Sequence, residues 1–435
     1  MKNKVALFWH RRDLRLTDNA GLLKALLNST QVIPVFIFDT SILEKLPKND
    51  ARITFIHNEI RKIKYAYNAL GSDLKVVHGD PTYEIPELSK KYNADAVYTN
   101  RDYEPYALKR DESIFETLKT LGIDFYGAKD HVVFEKNEVL KPDGLPYTVF
   151  TPYSRRWKAH FTENYTKNHP SEKHLDQLIQ LDNVEDLITL ERLGFEENNM
   201  IFPSKDIDLS KIKTYQENRN FPSANGTTLM SVHLRFGTVS IRSLVNKCLT
   251  KSETYLNELI WRDFYQMIIY HFPHSAKDAF KKQYDLIEWE KDMKTFDAWC
   301  VGNTGYPIVD AGMRELNSTG FMHNRVRMVV ASFLTKHLLL DWRLGATYFA
   351  EKLLDFELAS NTGGWQWAAG CGCDAAPYFR VFNPTTQQQK FDKDFKYIKK
   401  WVPEFGTENY PQPIVEHKFA RERALHRYKK GLSKL

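Results

Sequence analysis

Cysteine is nearly absent: 435 residues contain four, Cys248, Cys300, Cys371 and Cys373, too few and too scattered for a disulfide-stapled fold. Cys371 and Cys373 form a CxC without a second cluster, so no metal site is expected, and the four thiols are expected as small buried residues. No apolar run approaches the length of a membrane span. The stretch Val5–Trp9 is too short for the apolar core of a signal peptide, which predicts a cytoplasmic protein with no membrane contact. The loop after that stretch reads HRRDLRLTDN and lacks the GxGxxG fingerprint; no P-loop occurs elsewhere. Excess charge is missing from the first half. Residues 1–200 carry 28 Lys+Arg against 30 Asp+Glu, whereas 201–435 carry 33 against 25. The basic surplus therefore belongs to the C-terminal part, as a partner that is a polyanion requires, although solvated lysines on helix faces give the same balance.

What is present is ordinary globular material, 42% hydrophobic and 27% charged, with 13% aromatics. Seven of the nine Trp lie beyond residue 260. The length allows two or three domains. Over residues 1–130, short apolar runs at Val5–Trp9, Val32–Phe38, Leu74–His78, Ala96–Thr99 and Asp124–Gly127 alternate with helical patterns at Ala20–Asn28, Ala51–Leu70, Pro81–Tyr92 and Tyr106–Leu121. This predicts a doubly wound, five-stranded parallel sheet. Residues 131–204 read as a connector with short helices of its own, and 205–435 as a second, all-helical domain. Arg11, Arg12, Asp13 and Arg15 are expected to form a structural ion-pair network.

The stretch Asp355 to Asp392 has neither the composition of a surface loop nor the pattern of a core helix. Trp365 and Trp367 follow Gly363 and Gly364; Asp355 and Glu357 precede them; Arg380, Asn383, Thr385, Thr386 and Gln387 follow. Aromatics beside hydrogen-bonders in a glycine-loosened segment suit a planar aromatic ligand, and a buried helix with Trp as filler explains the composition equally well. Two further stretches carry chemistry. Asn225–Ser231 offers hydroxyls and backbone N–H groups at a helix start, which suit a pyrophosphate or an ordinary N-cap. On Tyr255–Tyr265, helical spacing brings Glu258, Trp261, Arg262 and Tyr265 to one face, fit to stack on and hydrogen-bond a base, or to form a Trp-anchored helix with a Glu–Arg pair.

The string GGWQWAA…DAAPYFR.FNP resembles the flavin-binding core of the photolyase/cryptochrome family, and the similarity runs from Trp9 to about Glu404. The resemblance implies a light-driven flavoprotein, a carbon–carbon lyase, holding noncovalent FAD in the helical domain. It places the cofactor against Tyr215, Thr227, Thr228, Leu229, Met230, Ser231, Tyr255, Glu258, Arg262, Asn324, Arg327, Asp355, Phe356, Glu357 and Asn361. Met230 and Thr228 stand where Leu and Ser are usual, and Tyr255 where Trp is common. Arg327 would pair with Asp355 beside the flavin ring. Damaged DNA would meet Arg219, Glu258, Trp261, Arg262, Tyr265, Asn324, Arg325, Met328, Trp367, Arg380 and Gln387. Glu258 would bond the damaged base, and the arginines would neutralise phosphates. Asn361 would face flavin N5, and Trp365, Trp342 and Trp289 match the family's electron-carrying chain. The (6–4) branch has two histidines where this chain has Asn324 and Met328, which favours the branch acting on cyclobutane pyrimidine dimers. Folate-binding members carry Asn and Glu where this chain has Tyr106 and Ala107, so an antenna chromophore would be another flavin, a deazaflavin, or absent. The alternative function is a cryptochrome-type blue-light receptor without repair. Such receptors commonly have long partner-binding tails, whereas about thirty residues follow Trp401, which favours a repair enzyme, expected as a monomer.

Overall fold

The computed structural model describes residues 3–181 and 183–433. Five strands, β1 Asn3–His10, β2 Ser29–Asp39, β3 Lys75–Gly79, β4 Ala96–Asn100 and β5 Asp124–Ala128, form one parallel sheet in the order β3-β2-β1-β4-β5. Between them lie α1 Ala20–Asn28, α2 Thr40–Leu43, α3 Ala51–Asn68, α4 Pro81–Lys91 and α5 Pro105–Thr120. The single turn α2, capped by Asp39, is the one helix here with no sequence expectation. Both faces of the later parts of β1 and β2 are buried, which is why these strands read as continuous apolar runs rather than alternating ones. Trp9 on β1 sits level with Val35 of β2 and Thr99 of β4.

The chain order reverses between β1 and β4, and at that carboxyl-end switch point open α/β sheets hold ligands. Here the loop after β1 is tied to its surroundings by ion pairs and hydrogen bonds. Arg11 pairs with Asp111 at 2.6 Å, Arg12 with Asp102 at 3.3 Å and Arg15 with Asp130 at 2.6 Å. Asp13 accepts from Asn19 and Asn100. Burial would raise the Asp102 and Asp130 carboxyls, but the facing guanidiniums hold both well below the usual range. The expected ion-pair network is present and reaches residues far along the chain.

The remaining helices are α6 Phe150–His160, α7 Leu209–Lys213, α8 Tyr215–Asn218, α9 Ser231–Phe236, α10 Ile241–Cys248, α11 Glu253–His271, α12 Met293–Val301, α13 Pro307–Thr319, α14 Asn324–Ser332, α15 Trp342–Lys352, α16 Leu358–Ala369, α17 Pro384–Phe391, α18 Lys396–Trp401 and α19 His417–Leu432. Asp, Asn and Ser at the N-caps of α10, α11, α12, α15 and α17 accept from first-turn N–H groups, the exchange that fixes where these helices start. A π-helical turn, Phe333–His337, continues α14.

The packing divides the chain differently from the expected 1–130, 131–204 and 205–435. One compact unit comprises Met1–Glu138, Ala159–Ile207 and Leu229–Leu249; the other comprises Val139–Lys158, Asp208–Thr228 and Thr250–Leu435. The connector does not stand alone. Its later part joins the sheet unit, where Ile179 N–H donates to Val32 O at 3.0 Å. Its α6 part joins the helical unit, where the Trp157 indole donates to Asp263 at 3.0 Å. Helices α9 and α10, expected in the helical domain, belong with the sheet unit, where Arg242 meets Asp18 and Asp130. No helix among the described residues is long and apolar enough to cross a membrane, and they contain no metal-ligating cluster of three or more His, Cys, Asp or Glu. Cys248, Cys300 and Cys371 are buried and Cys373 half-buried; burial pushes the last three thiols up to about 12.

Candidate functional site

Helix α11 is the spine of the helical unit. Ser252 caps it by accepting from Tyr255 N–H at 3.2 Å, and the 3.6-residue period brings Glu258, Trp261, Arg262 and Tyr265 to one side. Trp261 stacks flat on Phe150, ring centres 3.7 Å apart and 5° from parallel, with Tyr265 tilted against it at 5.3 Å. Arg262 donates to Glu357 at 3.2 Å, and the second Glu357 oxygen accepts from Ser360 at 2.8 Å. Glu357 precedes α16, so this pair ties the two helices that the sequence singles out. Gly363 on α16 faces the Tyr265 ring so closely that a Cβ would run into it, whereas Gly364 has open space. The glycine pair thus serves the approach of Tyr265 at one position only.

At the start of α11, Tyr255 shares a 2.8 Å hydrogen bond with the Thr228 hydroxyl and lies edge-on to Tyr215 at 5.0 Å. Arg219, after α8, lies 5.3 Å from the Tyr215 ring centre and 2.5 Å from a Glu258 oxygen. Burial raises the Glu258 pKa and Arg219 opposes that rise; Tyr215 and Tyr265 are raised by burial and stay neutral. Thr227 is half-buried beside Thr228. Leu229, Met230 and Ser231 pack with the sheet unit. Leu229 has φ +56, a conformation a branched side chain adopts at a cost. Met230 is buried, and Ser231 opens α9 without a side-chain cap.

Helix α14 supplies a second edge. Its cap is His323, whose Nδ1 accepts from Arg325 N–H at 3.2 Å. Burial, Arg327, Arg325 and Arg219 push this imidazole down to about 4, so it is neutral, and its buried Nε2 has no partner. Arg327 donates to Met322 O at 2.7 Å and to Asp355 at 2.9 Å. The other Asp355 oxygen is buried without a partner. Arg325 donates to Asn220 at 2.7 Å and lies 4.5 Å from the Phe391 ring centre. Asn324 is exposed and Met328 half-buried. Asn361 on α16 donates to Ala346 O at 3.0 Å, and Phe356 packs against the main helical core.

The tryptophans occupy different settings. Trp365 is buried with an unpartnered indole N–H, 4.9 Å from Phe349 and 6.0 Å from Trp299. Gly345 faces it where a Cβ would collide. Trp342, also buried, opens α15 with Arg343 over its ring at 4.8 Å. Trp289 is half-buried, edge-on to Tyr428 at 5.8 Å. Sequence reading missed Trp299, because DAWCVGNTGYP carries no spacing that points to Trp365. Trp367 is half-buried, 6.3 Å from Phe382. Arg380 is exposed, and Gln387 is half-buried on α17. Arg219, expected on DNA phosphate, is in this structure the partner of Glu258.

A parallel α/β unit is joined in one chain to a helical unit whose α11, α14 and α16 gather aromatics, arginines and buried carboxylates, a set that suits a planar, charged ligand. The comparisons give the family. Residues 6–173 match the DNA photolyase family and residues 255–407 the FAD binding domain of DNA photolyase. A deoxyribodipyrimidine photo-lyase of Synechococcus sp. is 37% identical, over 94% of this chain and 93% of that protein. The class III photolyase of Agrobacterium tumefaciens superposes with a TM-score of 0.87 at 32% identity, covering 100% of this chain and 98% of the other. An archaeal photolyase from Sulfolobus tokodaii with two FAD molecules gives 0.81 at 33%, covering 98% and 100%. The chain belongs to the DNA photolyase family, and its cofactor is FAD. The residues present fit that group. The orphan Asp355 oxygen offers an acceptor for a ring N–H beside the Arg327 cation, and Thr228, Tyr255 and Arg262 offer donors.

Proposed function

We propose that this protein repairs cyclobutane pyrimidine dimers in DNA, using light and reduced FAD held between α11, α14 and α16. Breaking two C–C bonds of a cyclobutane has no acid–base solution among these side chains; the flavin, when bound, supplies light absorption and one-electron donation to the dimer. The chain supplies position and polarity. Enzymes that act on a base in a duplex extrude it, and Trp261, stiffened by Phe150 and Tyr265, offers a flat ring for the extruded lesion. Glu258 would hydrogen-bond the dimer as negative charge develops on it, an interaction that strengthens along the reaction. Arg325, Arg380 and Arg219 would meet backbone phosphates, and Trp365, Trp342 and Trp289 would carry electrons to oxidised flavin. A monomer in the cytoplasm is sufficient for this task. The observation that carries the reading is Glu258, a carboxyl raised by burial, on the same helix face as Trp261. The experiment is illumination with near-UV or blue light of the flavin-reduced protein with oligonucleotides bearing either a cyclobutane thymine dimer or a (6–4) photoproduct. Thymines should reappear from the first and not from the second. A bound dimer left intact under full reduction would refute repair and favour a blue-light receptor.

A further inference from the structure

The resting site holds an imbalance of charge. Asp355 faces Arg327, Glu357 faces Arg262, and Glu258 faces Arg219. The contacts of Arg325 are an amide oxygen at 2.7 Å, the Met328 sulfur at 3.7 Å and the Phe391 ring, with no carboxylate among them. Its Nε is buried without a partner. Burial and Arg219 both disfavour its charge, and Arg219 also bears on His323, whose Nε2 is unpartnered. Arg219 therefore stands between one acid that holds it and a cation that repels it.

We propose that Arg219 is a phosphate-operated latch on Glu258. A backbone phosphate of the lesion-bearing strand docks between Arg219 and Arg325 and draws Arg219 off the Glu258 carboxylate. Glu258 then takes one proton from solvent and becomes a hydrogen-bond donor to a carbonyl oxygen of the dimer. The inference rests on the reading that the dimer binds at Glu258. Charge balances: the phosphate brings one negative charge, Arg219 follows it, and the proton neutralises the acid left behind.

The groups facing Glu258 make the second step follow from the first. Arg219, 2.5 Å away, is the cation that favours the ionised form of this half-buried carboxyl. Arg262, one turn on, is engaged by Glu357. Tyr215 and Tyr265 are pushed up by burial and by Glu258 itself, so both stay neutral and add no charge beside Glu258. Once Arg219 leaves, nothing opposes the rise that partial burial imposes on the Glu258 carboxyl, and the balance moves toward the neutral acid. Arg219 is thus a positioning residue: it acts on the dimer through Glu258.

The test is calorimetric titration of the full-length FAD-loaded protein, in the dark, with a single-stranded oligonucleotide carrying one cyclobutane thymine dimer. Buffers of different ionisation enthalpy give the number of protons taken up per complex. The wild type should take up close to one, and Kd should weaken by up to about tenfold per pH unit where only the complex is protonated. Glu258→Gln should bind, because the amide still donates, with no uptake and a flat pH profile. Arg219→Gln should take up far less than one proton, because Glu258 is already neutral before DNA arrives. Methylphosphonate linkages at and beside the lesion should abolish uptake in the wild type. Uptake that persists in Glu258→Gln, or a dimer that is bound and repaired on illumination without any uptake, overturns the latch while leaving the repair reading intact. A dimer that is not bound, or is bound and never repaired, overturns both.

Discussion

Replacing Arg327 by alanine should destabilise the protein through the charge it abandons. The Arg327 side chain is 25% exposed and Asp355 only 5%, at 2.9 Å, so the variant strands a nearly buried carboxylate whose second oxygen is already unpartnered. Breaking a fully buried pair costs about 3–5 kcal/mol; with Arg327 partly hydrated, about 2 kcal/mol is the reasonable figure. Asp355→Asn, which keeps an acceptor and leaves a hydrated arginine, should cost about 1 kcal/mol. The double variant should fall short of the sum by about 1 kcal/mol, since both changes remove one interaction. Urea unfolding of the flavin-free proteins measures all three. Titration with FAD then reads the orphan oxygen. With the single amide oxygen kept by Arg327, losing the hydrogen bond to the charged second oxygen, about 1.5–3 kcal/mol, should weaken FAD roughly 10- to 100-fold in Asp355→Asn. Additive stabilities within about 0.3 kcal/mol, or unchanged FAD affinity, would refute the reasoning.

Trp365→Phe should block photoreduction of oxidised flavin and leave repair intact when the flavin is reduced chemically; unchanged photoreduction would remove Trp365 from the electron path. Gly345→Ala pushes a methyl into the Trp365 ring and should cost about 1–3 kcal/mol by overpacking, read from the unfolding midpoint. Arg380→Ala and Arg325→Ala should each lower the log–log salt slope of duplex binding by roughly 0.9 and weaken damaged and undamaged DNA alike; a loss confined to damaged DNA contradicts the phosphate assignment. His337, wholly buried 2.8 Å from His417 and pushed down to about 3 by burial, stays neutral in the fold while its unfolded form protonates near 6.5. Stability should therefore be full above pH 6.5 and fall as pH drops from there toward 3. Urea midpoints across that range check it, and a flat profile would mean that the imidazole protonates in place.

The five strands and four main helices of the N-terminal region were legible because their signals are local: an apolar run or a 3.6-residue pattern lies within a dozen neighbours. Glu258 and Trp261 share a helix face for the same reason. The unit boundaries were not legible. Nothing in the composition of Val139–Lys158 shows that the Trp157 indole meets Asp263, and nothing in α10 shows that Arg242 meets Asp18.

By itself the sequence determined the two fold classes, the family through strings such as GGWQWAA and DAAPYFR, and the residue types proposed to meet flavin and DNA. Tertiary structure alone decided which charges face each other: Glu258 held by Arg219, Glu357 held by Arg262, and Arg325 left among an amide, a sulfur and a ring. It also decided that Trp299, with no motif of its own, lies edge-on to Trp365. Such pairings join segments tens of residues apart, and they are fixed by how helices bury their apolar sides, a property no stretch of sequence holds alone.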